Sequence, residues 1–361
     1  TGVSDTAAIL LEDIAANKLR YLPDGDNGET ATLIARGWDK TSGSDGDTGV
    51  NVSTNGDTTA FSSATSTASL VVSDINDAPV FSTNVNFTGV TEDVTNPAGD
   101  AVSVFAAGFT DVDNGAIAGI AITGMTGNGT WEYSTDTGST WTAITGVSDT
   151  AAILLEDIAA NKLRYIPDGD NGETATLIAR GWDKTSGSDG DTGVNVSTNG
   201  DTTAFSSGTS TASLVVSDIN DAPVFSANVN FTGVTEDVTN PAGDAVSVFA
   251  AGFTDVDNGA IAGIAITGMT GNGTWEYSTD TGSTWTAITG VSDTAAILLE
   301  DIAANKLRYL PDGDNGETAT LIARGWDKTS GSDGDTGVNV STNGDTTAFS
   351  FRYIYSIASS Y

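Results

Sequence analysis

Apolar residues fall in short runs rich in β-branched and aromatic types, and Gly, Asn, Asp or Pro separate the runs. Residues 79–217 contain ten such runs: PVFSTNVNFTGV, AVSVFAAGF, AIAGIAITGM, GTWEYS, STWTAI, TAAILL, KLRYIP, ATLIARGW, GVNVS and TASLVVS. Only LEDIAAN favours a short helical segment. Many short strands at this spacing are typical of antiparallel sandwiches. We therefore predict an all-β fold with core residues Phe105, Ile122, Trp131, Leu154, Leu163, Leu177, Trp182 and Val215.

Internal repetition sets the domain organisation. The phrase TGVSDTAAILLEDIAANKLRY begins at Thr1, Thr145 and Thr289, a period of 144 residues. That period is the size of a domain and exceeds the roughly 20 to 50 residues of a solenoid or propeller repeat. The polar phrase SDINDAP, at 73–79 and 217–223, ends in a proline that interrupts strand pairing. We place one complete domain at 76–219 and a second at 220–361.

The repeat is incomplete at both ends of the chain. Residues 1–75 match only the second half of a unit, so the chain is cut from a longer array or a neighbouring chain completes the sandwich by strand addition. After Ser350 the repeat gives way to a divergent segment, 351–361. Alternation of Phe351, Tyr353 and Tyr355 with other residues predicts a terminal strand with aromatic side chains on one face. A sequence artefact would also explain this segment.

Composition and charge exclude several classes of function. The chain contains no Cys and no His, which removes Ser-His-Asp and Cys-His catalysis, thiolate and imidazole metal sites and disulfides. It has 48 acidic and 13 basic residues and a formal charge of -35. This charge repels nucleic acid and anionic lipid, and no apolar run approaches the roughly 20 residues that span a bilayer. Hard cations are the natural counterions.

The motif STDTGSTW, residues 134–141, resembles the Asp box of sialidases. A sialidase also needs an arginine cluster for its substrate, yet no basic residue occurs between Thr41 and Ile144. Asp136 can bond to backbone N–H groups, and Gly138 supplies the positive φ of a tight turn. We therefore predict a hairpin turn at residues 136–138 and no enzymatic activity.

Patterned carboxylates indicate calcium. Acidic residues cluster in DINDAP at the hinge, in TED, in DVDNG and in PDGDNGE. Alternate carboxylates direct oxygens from one loop to a common centre, and Ca²⁺ takes 6 to 8 oxygen ligands. The weaker metal candidates are the PDGDNGE residues Asp24, Asp26, Glu29, Asp168, Asp170, Glu173, Asp312, Asp314 and Glu317, because this phrase also fits an ordinary turn.

These phrases resemble a known family. DINDAP is similar to the D-x-N-D-N-x-P linker of cadherins, and NDAPVF, FTDVDNG, LRYIPDGDNGETATL and TASLVVSDIN are similar to cadherin-like, immunoglobulin-like tandem repeats of large bacterial surface proteins and adhesins. The resemblance implies calcium at the first hinge on Asp74, Asn76, Asp77, Glu92, Asp111 and Asp113. It implies the same at the second hinge on Asp218, Asn220, Asp221, Glu236, Asp255 and Asp257. The second Asn of the cadherin linker is missing, which favours one or two ions per hinge.

The resemblance implies a secreted, calcium-stiffened rod or fibre at the cell surface that serves adhesion, biofilm cohesion or surface structure. Its partners would be neighbouring copies of itself, surface glycans or other cells, without nucleic-acid binding or membrane insertion. The alternative is a carbohydrate-binding module in which Trp38, Trp131, Trp141 or Tyr133 stacks on sugar rings beside calcium. Buried tryptophans would count against that alternative.

Overall fold

The computed structural model describes residues 2–116, 118–260 and 262–359. Ile117 in the predicted strand AIAGIAITGM, and Ser360 and Tyr361 in the predicted terminal strand, lie outside the described residues. The described chain is all-β, in tandem antiparallel β-sandwiches, as the run pattern predicts. No helix in this part of the chain is long and apolar enough to cross a membrane.

Residues 2–75 form two separate strand pairs. The strands are β1 (Ala8–Ile9), β2 (Glu29–Trp38), β3 (Thr48–Val50) and β4 (Phe61–Val72). β1 pairs with β3, and β2 pairs with β4, both antiparallel. A small cluster around Leu10, Val52 and Phe61 is buried on one side of these pairs.

Residues 76–219 form a sandwich of two sheets. Its strands are β5 (Val80–Phe81), β6 (Val85–Asn86), β7 (Val90–Thr91), β8 (Asp100–Ala101), β9 (Phe109–Thr110), β10 (Gly119–Thr126), β11 (Thr130–Ser134), β12 (Thr142–Ala143), β13 (Ile153–Glu156), β14 (Lys162–Ile166), β15 (Glu173–Trp182) and β16 (Phe205–Ser217). The larger sheet has the order β13-β10-β15-β16-β6, with β7 also paired to β16. The smaller sheet has the order β12-β11-β14-β8, and β5 pairs with β9.

The next unit repeats this arrangement. Its strands are β17 (Val224–Phe225), β18 (Val229–Asn230), β19 (Asp244–Ala245), β20 (Phe253–Thr254), β21 (Gly263–Thr270), β22 (Thr274–Ser278), β23 (Thr286–Ala287), β24 (Ala296–Glu300), β25 (Lys306–Leu310), β26 (Thr318–Trp326), β27 (Thr336–Val338) and β28 (Phe349–Ser359). Its sheets have the orders β18-β28-β26-β21-β24-β27 and β19-β25-β22-β23.

The main core of each complete unit lies between its two sheets. Alternate residues of β15, among them Leu177, face inward because successive side chains of a strand point to opposite sides. They meet Trp131 and Tyr165 of the smaller sheet, whose ring centroids are 5.0 Å apart. A second cluster around Leu154 and Trp182 covers the outer face of the larger sheet.

Seven of the eight predicted core residues are buried, and Val215 is the exception. Val215 is 57% exposed, whereas its neighbours Leu214 and Val216 face the core. The run SLVV has apolar residues at consecutive positions, so its composition does not show which alternate set points inward.

Two local predictions were also wrong. LEDIAAN is not helical: its first two residues end β13, and the rest is a turn in which the Asn161 amide donates to the Glu156 carbonyl at 2.9 Å. AVSVFAAGF is not a continuous strand. Its centre forms a 3₁₀ helix, Val102–Gly108, which directs Val102 and Phe105 into the core.

The divergent tail forms β28 and pairs with β26, as the aromatic alternation predicts. Phe351, Tyr353 and Tyr355 lie on the exposed face, while Ile354 is buried. The Arg324 guanidinium stacks on the Tyr353 ring at 3.9 Å. The tail thus completes the larger sheet of its unit.

Candidate metal centre at the domain seams

Each SDINDAP linker is tied to the unit that follows it. The Asn76 amide donates to Asp183 Oδ2 at 3.0 Å, and the Ala78 N–H donates to the Asp201 carbonyl at 2.7 Å. At the second seam, Asn220 and Ala222 make the equivalent bonds to Asp327 and Asp345. These hydrogen bonds fix the linker carboxylates relative to the following sandwich.

The DVD turn lies directly beside the linker. In the second copy, Asp257 N–H donates to Asp255 Oδ1 at 3.0 Å, and Asp221 N–H donates to Asp257 Oδ2 at 2.9 Å. Asp77, Asp111 and Asp113 make the same bonds at the first seam. Each DVD aspartate therefore uses one oxygen to order the backbone and keeps the other oxygen available.

The available oxygens are buried. Within the described residues, the buried carboxylate oxygens without a hydrogen-bond partner are Glu92 Oε2, Asp111 Oδ2, Asp113 Oδ1, Asp221 Oδ2, Asp255 Oδ2 and Asp257 Oδ1. All six belong to residues that the sequence predicts as calcium ligands. A buried anionic oxygen without a partner carries a large desolvation cost, which protonation or a bound cation would relieve.

Three carboxylates converge at the second seam. Glu92, Asp218 and Asp257 each offer an oxygen, and these oxygens lie within 4.8 Å of one another. Glu92 is only 1% exposed, and its Oε1 accepts a 2.6 Å hydrogen bond from the Ile219 N–H. Asp218 Oδ1 accepts from the Gly172 N–H at 2.8 Å. The cluster therefore joins residues of the first complete unit, the linker and the following unit.

The electrostatics of the seam favour a cation. Burial raises the pKa of Glu92, although the hydrogen bond from Ile219 partly offsets this. The negative charges of Asp218, Asp221 and Asp257 raise the Glu92 pKa further. Burial is also the main cause of the raised pKa values of Asp111, Asp221 and Asp255. A divalent cation reverses this effect because it favours the ionised form.

The structure corrects the predicted position of Glu92. Glu92 lies with Asp218 and Asp257 at the second seam and not with Asp74 at the first. The reason is that β7 pairs in parallel with the end of β16, with Val90 opposite Val216, which carries Glu92 to the far end of its own unit. By the same topology, Glu236 lies at the far end of the next unit. Among the described residues, no second group of three converging carboxylates includes Glu236.

Several seam residues were missed by the sequence analysis. Asp183 and its copy Asp327 are buried behind the linker, where each accepts hydrogen bonds from a linker asparagine and a threonine. Asn171 crosses the second seam: its amide donates to the Val256 carbonyl at 2.9 Å, and its Oδ1 accepts from the Asn258 N–H at 2.8 Å. Asn27 makes the same pair of bonds at the first seam. For Asn27 and Asn171, the DNG phrase that contains each asparagine was the only sign of such a role in the sequence.

The weaker metal candidates in the PDGDNGE phrases have different hydrogen-bond partners at each position of the phrase. The glutamates are held within their own units, since Glu29, Glu173 and Glu317 accept hydrogen bonds from Tyr21, Tyr165 and Tyr309. The first aspartates, Asp24, Asp168 and Asp312, accept from the backbone N–H of Asp26, Asp170 and Asp314 in a local turn. Asp170 contributes negative charge to Asp221 at the second seam, as does Asp93. Asp170 is thus the PDGDNGE residue whose charge acts on the second seam cluster.

The STDTGSTW motif is a hairpin turn between β11 and β12. Asp136 Oδ1 accepts from the Thr140 N–H at 2.8 Å, and Oδ2 accepts from the Thr140 hydroxyl at 2.7 Å. Thr137 and Gly138 have φ of 64° and 91°. Both Asp136 oxygens are used inside the turn, which is a structural role.

The tryptophans named for glycan stacking are engaged within the protein. Trp131 is 2% exposed and donates its ring N–H to the Thr126 carbonyl at 3.0 Å. The ring of Trp141 lies under the Arg164 guanidinium at 4.1 Å. Trp38 and Tyr133 are partly buried. These contacts leave no open aromatic platform at Trp131 or Trp141.

The comparisons with known proteins include a structural similarity to cadherin-like domains. No protein-family model matches the chain, and no curated protein matches it. Among solved structures, the chain is similar to zebrafish RET cadherin-like domains 1 to 4, with a TM-score of 0.18 and 9% sequence identity. The match covers 93% of this chain and 66% of the RET chain, so this chain spans just under two thirds of its length.

Proposed function

We propose that this chain is part of an extracellular, cadherin-like array in which calcium at the seams stiffens a row of β-sandwiches for adhesion or surface structure. The observation that carries the proposal is the Glu92, Asp218 and Asp257 cluster, whose buried Glu92 Oε2 has no hydrogen-bond partner among the described residues. The resemblance to bacterial surface repeats gives the adhesive and extracellular parts of the proposal.

The donor set fits calcium. All candidate ligands are carboxylate, amide or carbonyl oxygens, which are the ligands of a hard cation. Residues available to hold the ion are Glu92, Asp218, Asp221, Asp255 and Asp257, with Asp93 and Asp170 nearby. Bound calcium would supply the positive charge that these carboxylates lack. Extracellular calcium modules work at millimolar or submillimolar calcium, which suits an exposed surface array.

The protein's own residues determine what calcium binding would do mechanically. Glu92 belongs to the first complete unit, whereas Asp257 belongs to the following unit. Mutual repulsion pushes these carboxylates apart, and a shared cation holds them together. Since the linker is already bonded to the following unit through Asn220, closing the cluster fixes the angle between neighbouring sandwiches.

We also propose that the chain has no catalytic role. The seam carboxylates are committed to backbone hydrogen bonds on one oxygen, and repeated near-identical domains suit a spacer. The carbohydrate-binding alternative has less support because Trp131 is buried and Trp141 is covered by Arg164.

Thermal unfolding in a calcium series, with a chelator as the zero point, tests the proposal. A ligand that binds only the folded state raises the melting temperature with the logarithm of its concentration. Small-angle scattering at the same concentrations measures extension, which we expect to increase with calcium. Magnesium at equal concentration is the control, because it needs a near-ideal octahedral site and dehydrates reluctantly. Equal melting temperatures and equal dimensions in chelator and in millimolar calcium would contradict the proposal.

A further inference from the structure

The last unit contains a cavity between its two sheets. The cavity has a volume of about 400 Å³ and is lined by residues of β25, of β28 and of the segment 231–244. Phe231 and Tyr309 contribute aromatic rings to the wall, and Ala358 contributes a methyl group from β28. Protein interiors are closely packed and hold few voids larger than a water molecule. A cavity of this size therefore needs a specific cause.

One residue distinguishes this cavity from the same place in the first complete unit. Each described lining residue has an equivalent 144 positions earlier, and all of these pairs are identical except Ala358, which corresponds to Leu214. Leu214 is 3% exposed and belongs to the main core of its unit. Leucine is larger than alanine by an isopropyl group, so the last unit lacks the volume of that group at this point of its core.

The neighbouring strand does not compensate for the smaller side chain. Ala358 lies opposite Ala319 of β26, and Leu214 lies opposite the equivalent Ala175 of β15. Both opposing alanines are fully buried. Ala358 and Leu214 both belong to the cores of their units. The cavity therefore results from a side-chain substitution within β28 and not from a change of strand register.

The backbone beside the cavity is paired as in the first complete unit. The Phe231 N–H donates to the Ile357 carbonyl at 2.9 Å. In the first complete unit, the Phe87 N–H donates to the Ser213 carbonyl at 2.8 Å. Because the strands on either side of the cavity keep this arrangement, the missing side-chain volume at Ala358 accounts for the space.

The charged side chains in the wall are engaged within the protein. Arg308 Nε donates to Glu276 at 2.6 Å, and its Nη1 donates to Asn240 at 2.7 Å. The two carboxylate oxygens of Asp244 accept from the Thr232 N–H at 2.9 Å and from the Thr232 hydroxyl at 2.7 Å. An ionic ligand would lose its hydration without a free partner among these groups. The wall therefore favours an uncharged ligand.

Aromatic rings border the cavity and favour an aromatic ligand. The ring centroids of Phe231 and Trp275 are 5.3 Å apart, and those of Trp275 and Tyr309 are 5.1 Å apart. A further ring at about 4.5–7 Å, tilted or edge-on, gains stabilisation beyond the burial of its area. An apolar cavity of about 150 Å³ is enough to bind benzene. The larger volume here accommodates a small aromatic molecule.

We propose that the last unit binds a small uncharged aromatic molecule in this cavity, beside Ala358 and the rings of Phe231 and Tyr309. The ligand occupies space that Leu214 fills in the first complete unit. It binds by displacing poorly ordered water from an apolar wall. This inference goes beyond the calcium array, since no described lining residue is a seam carboxylate.

The test titrates fluorobenzene into the full chain in chelator and follows the fluorine signal of the ligand by NMR. We expect saturable binding at one site per chain, with a nuclear Overhauser contact between the ligand protons and the Ala358 methyl group. Because chelator is present, the result is independent of the calcium proposal. Absence of saturable binding, or binding without contact to Ala358, would overturn the inference.

Ala358→Leu introduces the leucine that the first complete unit has at this position. It should raise the melting temperature and weaken fluorobenzene binding at least about tenfold, because the new side chain fills the cavity. Equal affinity in this variant would contradict the site. A lower melting temperature would also contradict it, because the leucine would then have no space to occupy.

Two further variants separate this cavity from other binding surfaces. Leu214→Ala gives the first complete unit the same lining, so fluorobenzene should then occupy two sites per chain. Phe351→Ser removes the most exposed aromatic ring of β28, at a position where the first complete unit has Ser207, and should leave binding unchanged. A stoichiometry that stays at one site in Leu214→Ala, or loss of binding in Phe351→Ser, would overturn the proposal.

Discussion

The side-chain amide of Asn171 donates a 2.9 Å hydrogen bond to the carbonyl of Val256 across the second seam. Its Oδ1 accepts the N–H of Asn258 at 2.8 Å, so one side chain holds two backbone groups of the following unit. None of these groups is a candidate calcium ligand. The seam therefore has a connection that does not depend on cation, and the cation-free hinge should keep part of its order.

Replacing Asn171 with Ala tests this connection. We expect Asn171→Ala to broaden the distance distribution between the two units in chelator, with a smaller effect in calcium, because the carboxylate cluster then holds the seam. The chain has no native Cys, so spin labels at Thr135→Cys and Thr279→Cys report only that distance. Asn315→Ala, the same position in the last copy, is the control and should leave the distribution unchanged. A distribution insensitive to Asn171→Ala would contradict this role.

Glu92 and Glu236 provide a matched pair for the calcium proposal. Glu92→Gln removes one charge from the cluster with Asp218 and Asp257, and we expect calcium affinity to fall at least about tenfold. Glu236→Gln changes the same residue in the same local sequence, away from any such cluster among the described residues, and should have little effect. Isothermal titration calorimetry measures both. Equal losses in the two variants would mean that Glu92 is not a ligand of the seam.

The two central leucines of the repeat should differ in their effect on stability. Leu177→Ala opens a cavity between the sheets and should lower the free energy of unfolding of its unit by about 2–5 kcal/mol. Leu33→Ala, at the equivalent exposed position, should change it by no more than about 0.5 kcal/mol. Denaturant unfolding of the two variants beside the parent chain checks this. A large loss for Leu33→Ala would show that the Leu33 side chain is buried in solution.

Sequence reasoning succeeded where structure is decided locally. The turn at Asp136 and Gly138 follows from an Asx bond and a positive φ, both of which depend on a few adjacent residues. Inward positions such as Leu177 follow from alternation along a single strand. Asp255 and Asp257 of the DVD phrase likewise share a local turn, in which the Asp257 N–H donates to Asp255 Oδ1.

The sequence could not show relationships set by topology. Glu92 follows the end of the linker by 13 residues, yet parallel pairing of β7 with β16 takes it to the opposite end of the sandwich. Asn171 sits in a loop whose role appears only when the following unit is in place. Val215 was misassigned because a run of consecutive apolar residues does not show which alternate positions face the core.

The hairpin aspartate gives a pH-dependent prediction away from the seams. Hydrogen bonds from the Thr140 N–H and hydroxyl, and from Ser134, lower the pKa of Asp136 to about 2, and the copy Asp280 has the same environment and a pKa of about 2. The unfolded value is about 3.9. A carboxyl with a lowered pKa in the folded state stabilises the fold fully above its unfolded pKa, and this contribution is lost as pH falls through the folded pKa.

We therefore expect the carboxyl carbons of Asp136 and Asp280 to titrate together near pH 2 by NMR, while the hairpins stay formed at pH 3. Asp136→Asn serves as the control, because it removes one of the two signals and leaves the signal of Asp280 in place. The variant keeps an acceptor for the Thr140 N–H but loses the acceptor for the Thr140 hydroxyl, so its hairpin should exchange amide protons faster at neutral pH. Titration of both groups near 3.9 would show that the turn hydrogen bonds do not persist in solution.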